Sequence, residues 1–129
     1  MSEIAKRISE AELAVLDVLW QADEPLPVTP IRIQLCEEWG WNASTVKTLL
    51  RRLCDKGAVE AEKREVFYYR PLLSREEYRN WSTGSLVERF YRGSAKDLIA
   101  SLVADKQLSK KDLEELRGIL YPQEEQEDE

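Results

Sequence analysis

Between residues 42 and 56 the chain carries Lys47, Arg51, Arg52 and Lys56 against one acid, Asp55, and interleaves them with the hydroxyls Ser44, Thr45 and Thr48. Guanidinium, ammonium and short hydroxyl groups donate hydrogen bonds to phosphate oxygens and base edges, so this segment has the chemistry of nucleic-acid contact. A smaller basic group, Lys63 and Arg64, follows with Glu62 and Glu65 on either side. The other chemically active residues do not assemble into a site. Histidine is absent, which removes Ser-His-Asp and Cys-His activation, histidine-containing zinc sites and the side chain most used for proton transfer near neutrality. Cys36 and Cys54 lie far apart without other soft ligands nearby, so neither a disulfide framework nor a metal site is expected. Glu76-Glu77 and Glu114-Glu115 read as helix-surface carboxylates. No catalytic residue and no cofactor is expected, and binding is the favoured class.

Charge distribution matters more than its sum. The net charge is −6, but PQEEQEDE at 122–129 holds five acids and no bases, leaving the rest nearly neutral and residues 42–56 at +3. A basic segment on a neutral body is compatible with phosphate contact, although a pI of 4.9 counts against it. The 129 residues, 43% hydrophobic and 34% charged, suit one helix-rich domain or a small domain with an appendage. No apolar run approaches the ~20 residues of a membrane span. Charges at the N-terminus stand where a signal peptide needs its apolar stretch, so a cytoplasmic protein without membrane contact is expected.

The elements that must hold the basic segment are legible from periodicity. Ser9-Glu10-Ala11-Glu12 has the form of a capping box, and Leu13, Leu16, Leu19 and Trp20 continue a helix to about Gln21. Thr29-Pro30 predicts a second start, threonine as cap and proline at the first helical position, with Ile31, Leu35 and Trp39 on one face and Gly40 as the stop. Asn42 caps a third helix whose Val46, Leu49, Leu50 and Leu53 recur at i, i+3, i+4 and i+7 before Gly57. The period then changes. Val59 to Lys63 and Val66 to Arg70 read as a β-hairpin that Pro71 closes. Helices from Ser74 to Tyr91, Ala95 to Asp105 and Ser109 to Leu120 follow, and the acidic tail is expected to be disordered.

The expected fold is mainly α with a small β-hairpin wing: a winged helix-turn-helix over 1–73, a helical dimerisation domain over 74–121 and a tail over 122–129. In such a fold the third helix enters the DNA major groove. At 100° per residue, the side of that helix opposite Val46 presents Ser44, Thr48 and Arg51, with Lys47 on one flank and Thr45 and Arg52 on the other. Lys63 and Arg64 would form a wing tip on the phosphate backbone. A merely solvated helix face and a charged turn are the bland alternatives; element order, face composition and wing charge together favour DNA. Trp20 and Trp39 sit on apolar faces and are expected in the core, with Trp41 sealing the turn before Asn42. The last three helices carry more apolar stripe than they can bury among themselves, and a symmetric dimer is the simplest remedy.

The segments ISEAELAVLDVLW at 8–20, NASTVKTLLRRLCDKGAVEAEK at 42–63 and VFYYRPL at 66–72 resemble the penicillinase-repressor family of winged-helix repressors. ERFYRGS at 88–94 and LSKKDLEELRGIL at 108–120 are similar to its dimerisation half. The resemblance implies a homodimeric repressor on a palindromic operator. It implies that Ser44, Thr45, Lys47, Thr48 and Arg51 face DNA and that Lys63 and Arg64 sit in the wing; with the cap Asn42 and the flanking Arg52 these make the expected DNA-binding set. Dimer contacts would include Leu86, Phe90, Leu98, Leu102, Leu113, Leu116 and Leu120. Where β-lactam-responsive members are cut at an Asn-Phe bond, this chain has Ser101-Leu102, and no cysteine follows Cys54 to match the cysteine-rich ending of copper-responsive members. The inducing signal, and any regulatory protease or sensor, stays open. The competing reading is a winged helix used as a protein–protein module.

Overall fold

Serine-led capping boxes start helices where the sequence places them. The Glu12 N–H donates to Ser9 Oγ at 3.1 Å and the Ser9 N–H donates to the Glu12 carboxylate at 2.9 Å. The same exchange joins Ser74 with Glu77 and Ser109 with Asp112, each satisfying backbone donors that a helix start leaves open. A computed structural model describes residues 3–122. Its elements are α1 (Glu3–Lys6), α2 (Glu10–Gln21), β1 (Leu26–Pro27), α3 (Val28–Trp39), α4 (Ala43–Asp55), β2 (Val59–Lys63), β3 (Phe67–Pro71), α5 (Arg75–Tyr91), α6 (Ala95–Ala104) and α7 (Lys110–Leu120). No described helix is long and apolar enough to cross a membrane. The acidic tail, apart from Pro122, lies outside the described residues.

Cα packing divides the chain between Thr83 and Gly84, inside α5 rather than before it. In the first unit, Val15, Leu16, Val18 and Leu19 of α2 meet Ile31 and Leu35 of α3 and Val46, Leu49, Leu50 and Leu53 of α4 in one buried cluster. Ala58, Val59 and Leu73 close it. Truncating one such leucine to alanine costs about 2–5 kcal/mol, which makes the placement of α4 robust. β2 and β3 pair antiparallel from Val59 opposite Pro71 to Lys63 opposite Phe67, forming the hairpin wing. The start of α5 belongs to this unit: Tyr78 lies between Trp20 and Trp81, with ring centroids 6.1 and 5.7 Å away.

Four details depart from the sequence reading. The short α1 was not foreseen; it buries Ala5 and brings Ile4 and Ile8 onto the core. Nor was β1, which pairs Leu26 with Tyr69 and Pro27 with Tyr68 to give the sheet order β1-β3-β2. Because the chain passes straight from β1 into α3, Pro27 occupies the cap position without a side-chain bond and Thr29 lies inside the helix instead of capping it. Pro30 is tolerated there because first-turn N–H groups have no intrahelical partner. Pro71 is the last paired residue of β3 rather than a stop beyond it.

The second unit holds the end of α5, α6 and α7. Arg92 and Gly93 take positive φ in the turn between α5 and α6, and the Tyr91 hydroxyl donates to Ser101 Oγ at 3.1 Å. No residue of α5, α6 or α7 is buried. Leu86, Phe90, Ile99, Leu102, Val103, Leu113, Ile119 and Leu120 are exposed large apolar side chains, Phe90 at 66% and Leu120 at 65%. Leu98 and Leu116 are half-buried.

Candidate nucleic-acid interface

α4 is amphipathic in the strict sense that one side is sealed and the other open. Its buried stripe is Val46, Leu49, Leu50 and Leu53, while Ser44, Lys47, Arg51 and Arg52 are exposed and Thr45 and Thr48 half-buried. Asn42 Oδ1 accepts the Thr45 N–H at 2.9 Å, fixing the helix start and leaving further first-turn N–H groups open toward an anion. Gly57 ends the element at φ 78°, a left-handed conformation glycine adopts without a Cβ penalty. Every side chain the sequence assigned to the reading face therefore reaches solvent, Asn42 being also a structural cap.

The wing presents Lys63 and Arg64 as expected, but both are engaged locally. Lys63 Nζ lies 5.7 Å from the centre of the Phe67 ring. Arg64 pairs with Glu62 at 3.2 Å and lies 4.5 Å over the Tyr68 ring. Across the strands, Arg70 donates to Glu60 at 2.8 Å, a pair that follows from the register opposing these two residues. That alternation of acids at Glu60 and Glu62 was visible in the sequence, yet only the register says which bases they face.

Lys56, counted with the basic segment, is not available to phosphate. Its ammonium donates to both Glu12 carboxylate oxygens, at 2.6 and 2.8 Å, and to the Arg7 carbonyl at 2.8 Å. Glu12 is 1% exposed, the one buried charged residue among the described residues. Trp39 is a second correction. It is 59% exposed rather than buried, and stacks on Trp41 with centroids 5.4 Å apart at 22°. Trp20 does pack on the core and donates its ring N–H to the Leu73 carbonyl at 2.9 Å. Burial, with Asp55 adding to it, pushes the Cys54 thiol up, which disfavours thiolate chemistry there. Among the described residues no cluster of His, Cys, Asp or Glu could hold a metal.

Comparison with known proteins agrees with this geometry. The penicillinase repressor family model matches residues 8–121. The penicillinase repressor of Bacillus licheniformis is 31% identical over 115 residues, covering 88% of this chain and 89% of the relative. The solution structure of the DNA-binding domain of the repressor BlaI matches with a TM-score of 0.53 at 33% identity, over 60% of this chain and 94% of that one. Bacillus licheniformis BlaI, in its monomeric form in complex with the blaP half-operator, matches with a TM-score of 0.50 at 33% identity, over 56% and 88% of the two chains. These relatives favour a DNA-binding repressor over a protein–protein module. With its winged helix and a family match running from Ile8 to Tyr121, the chain belongs to the penicillinase-repressor family of DNA-binding transcriptional repressors.

Proposed function

We propose that the chain represses transcription as a homodimer, each winged helix over residues 1–73 occupying one half of a dyad operator and residues 74–121 holding the pair together. The observation that carries this is the open polar face of α4, where exposed Ser44, Lys47, Arg51 and Arg52 back onto a fully buried apolar stripe. A helix so presented docks in the major groove with Thr45, Thr48 and Arg51 toward base edges. Asn42, Lys47, Arg52, Lys63 and Arg64 then lie toward phosphates. The relative's engagement of a half-operator as a monomer supports one winged helix per half-site. The exposed apolar side chains of α5–α7, among them Leu86, Phe90, Leu102, Leu113 and Leu120, with Leu98 and Leu116 beside them, are what a two-fold partner would cover. Half-sites would then lie about one turn, ~34–36 Å, apart. The reading gives the chain no catalytic step, a cytoplasmic location, and release by whatever separates or deforms the dimer half.

Titrating the protein into duplex from the intergenic DNA beside its own gene, by fluorescence anisotropy at several salt concentrations, tests the reading. Log affinity should fall linearly with log salt, with a slope near −0.9 per neutralised phosphate. Absence of duplex binding even at low salt would overturn it.

A further inference from the structure

Within the first unit, α2, the end of α3 and the start of α5 line an open cavity of about 630 Å³ that the DNA-binding reading does not use. That volume lies in the range of small-molecule sites. Leu13, Ala14, Trp20, Trp39 and Tyr78 give it an apolar, largely aromatic wall. Of its charged residues, Arg75 is engaged, 3.5 Å from Asp17 and 5.8 Å from the Trp20 ring centre. Glu10 and Arg79 line the cavity too, without an ion-pair partner among the described residues. A cavity with aromatic walls, one spare guanidinium and one spare carboxylate fits a flat molecule bearing an acidic group and a hydrogen-bond donor.

We propose that this cavity is an effector site for a planar aromatic acid of two or three rings, and that its occupant weakens operator binding through Trp39 and Trp41. The route is short. Trp39 lines the cavity and is more than half exposed, and its ring stacks on Trp41. Trp41 immediately precedes Asn42, the side chain that caps α4. A ring inserted against Trp39 displaces the stacked pair and with it the start of the reading helix. On its far side the cavity touches Arg79, Ser82 and Thr83 of α5, the helix that continues into the second unit. An occupant therefore contacts both the approach to α4 and the root of the proposed dimer half. The coupling, though not the site, rests on the DNA-binding reading.

The probe is 1-anilinonaphthalene-8-sulfonate, two aromatic ring systems with a sulfonate and an N–H, titrated by calorimetry into the full-length protein, with operator affinity measured in parallel. Ser82→Phe narrows the cavity at its exposed α5 wall, and a far-UV circular dichroism spectrum and melting temperature like those of the wild type show that this variant folds. One saturable site should appear in the wild type, be lost in Ser82→Phe and be weakened in Arg79→Gln. Probe should lower wild-type operator affinity by about fivefold or more and leave Ser82→Phe unaffected. Equal probe binding by wild type and Ser82→Phe would overturn the site. A site lost in Ser82→Phe with operator affinity indifferent to probe would overturn the coupling. Failure of the wild type to bind any duplex would sink the proposed function, while the calorimetric arm would still decide the site.

Discussion

Replacing Lys56 with methionine removes one cation and the two bonds it donates, leaving the buried Glu12 carboxylate with its contacts to Ser9, whose N–H donates at 2.9 Å. Breaking a buried pair from one side costs about 3–5 kcal/mol, because the surviving charge stays out of water. Lys56 keeps 24% side-chain exposure, so water reaches the site in part and the lower end applies. For a unit of this size about 3 kcal/mol is a melting-temperature drop on the order of 15 °C. Combining Lys56→Met with Glu12→Gln removes both charges and should restore most of the loss. The pH dependence is the sharper test. In the wild type, burial is the largest influence and pushes the Glu12 carboxyl up, but the bonds from Lys56 and Ser9 and the Lys56 charge together outweigh it, leaving the carboxyl below its ordinary 4.5. A carboxyl depressed by folding stabilises fully above that ordinary value and loses its contribution as pH falls through the lower folded value. In Lys56→Met, burial acts without the ammonium, so the carboxyl rises and protonation relieves the variant. The stability gap, read from urea unfolding followed by tryptophan fluorescence, should be widest near neutrality and close as pH falls, first through the variant's raised value and then through the wild type's lower one. A gap under ~1 kcal/mol at neutral pH, or one indifferent to pH, would refute the reasoning.

Arg51→Ala should weaken operator binding by about 1–3 kcal/mol and random duplex far less, whereas Lys63→Ala should weaken both alike and reduce the salt slope by about one; equal losses from Arg51→Ala on the two duplexes contradict base reading. Asn42→Ala deletes the cap on the Thr45 N–H and should lower thermal stability by about 1 kcal/mol, with thermal denaturation as the check. Phe90→Glu places a charge on the exposed apolar side of α5 and should shift sedimentation equilibrium toward monomer while far-UV circular dichroism stays unchanged; an unaltered mass would remove Phe90 from the interface.

α4 was legible because its signals are local. Asn42 and Gly57 punctuate it, and the stripe from Val46 to Leu53 needs only helical geometry to become a buried face. The same holds for the serine caps and the hairpin strands. What escaped depends on distant partners. The role of Lys56 is set by Glu12, 44 positions away in sequence, and no window around Lys56 contains that carboxylate. β1 is two residues whose reason for being extended is Tyr68 and Tyr69 across the sheet. Trp39 continues the spacing of Ile31 and Leu35, but α3 ends there and its last turn overhangs the core instead of lying on it. Periodicity gives direction around a helix axis, not how far along that axis the body extends.

The acidity of the chain looks different once its ion pairs are placed. Glu12 holds Lys56, Glu62 holds Arg64 and Glu60 holds Arg70. Those bases are therefore compensated before any DNA arrives. Lys47, Arg51 and Arg52 on α4 are exposed and have no ion-pair partner among the described residues. Exposed pairs such as those of the wing are worth at most about 1 kcal/mol, so Arg64 can trade a carboxylate for a phosphate, but the carboxylate left behind then repels the same backbone. On the proposed reading the wing keeps Lys63 for the phosphate backbone, and most of the net pull is concentrated in the helix proposed to read bases. Random duplex would then offer that helix only its phosphates, so non-specific affinity would stay low. A chain that is acidic overall would in this way raise its specificity ratio, because on the proposed reading the surface that attracts DNA is the surface that discriminates.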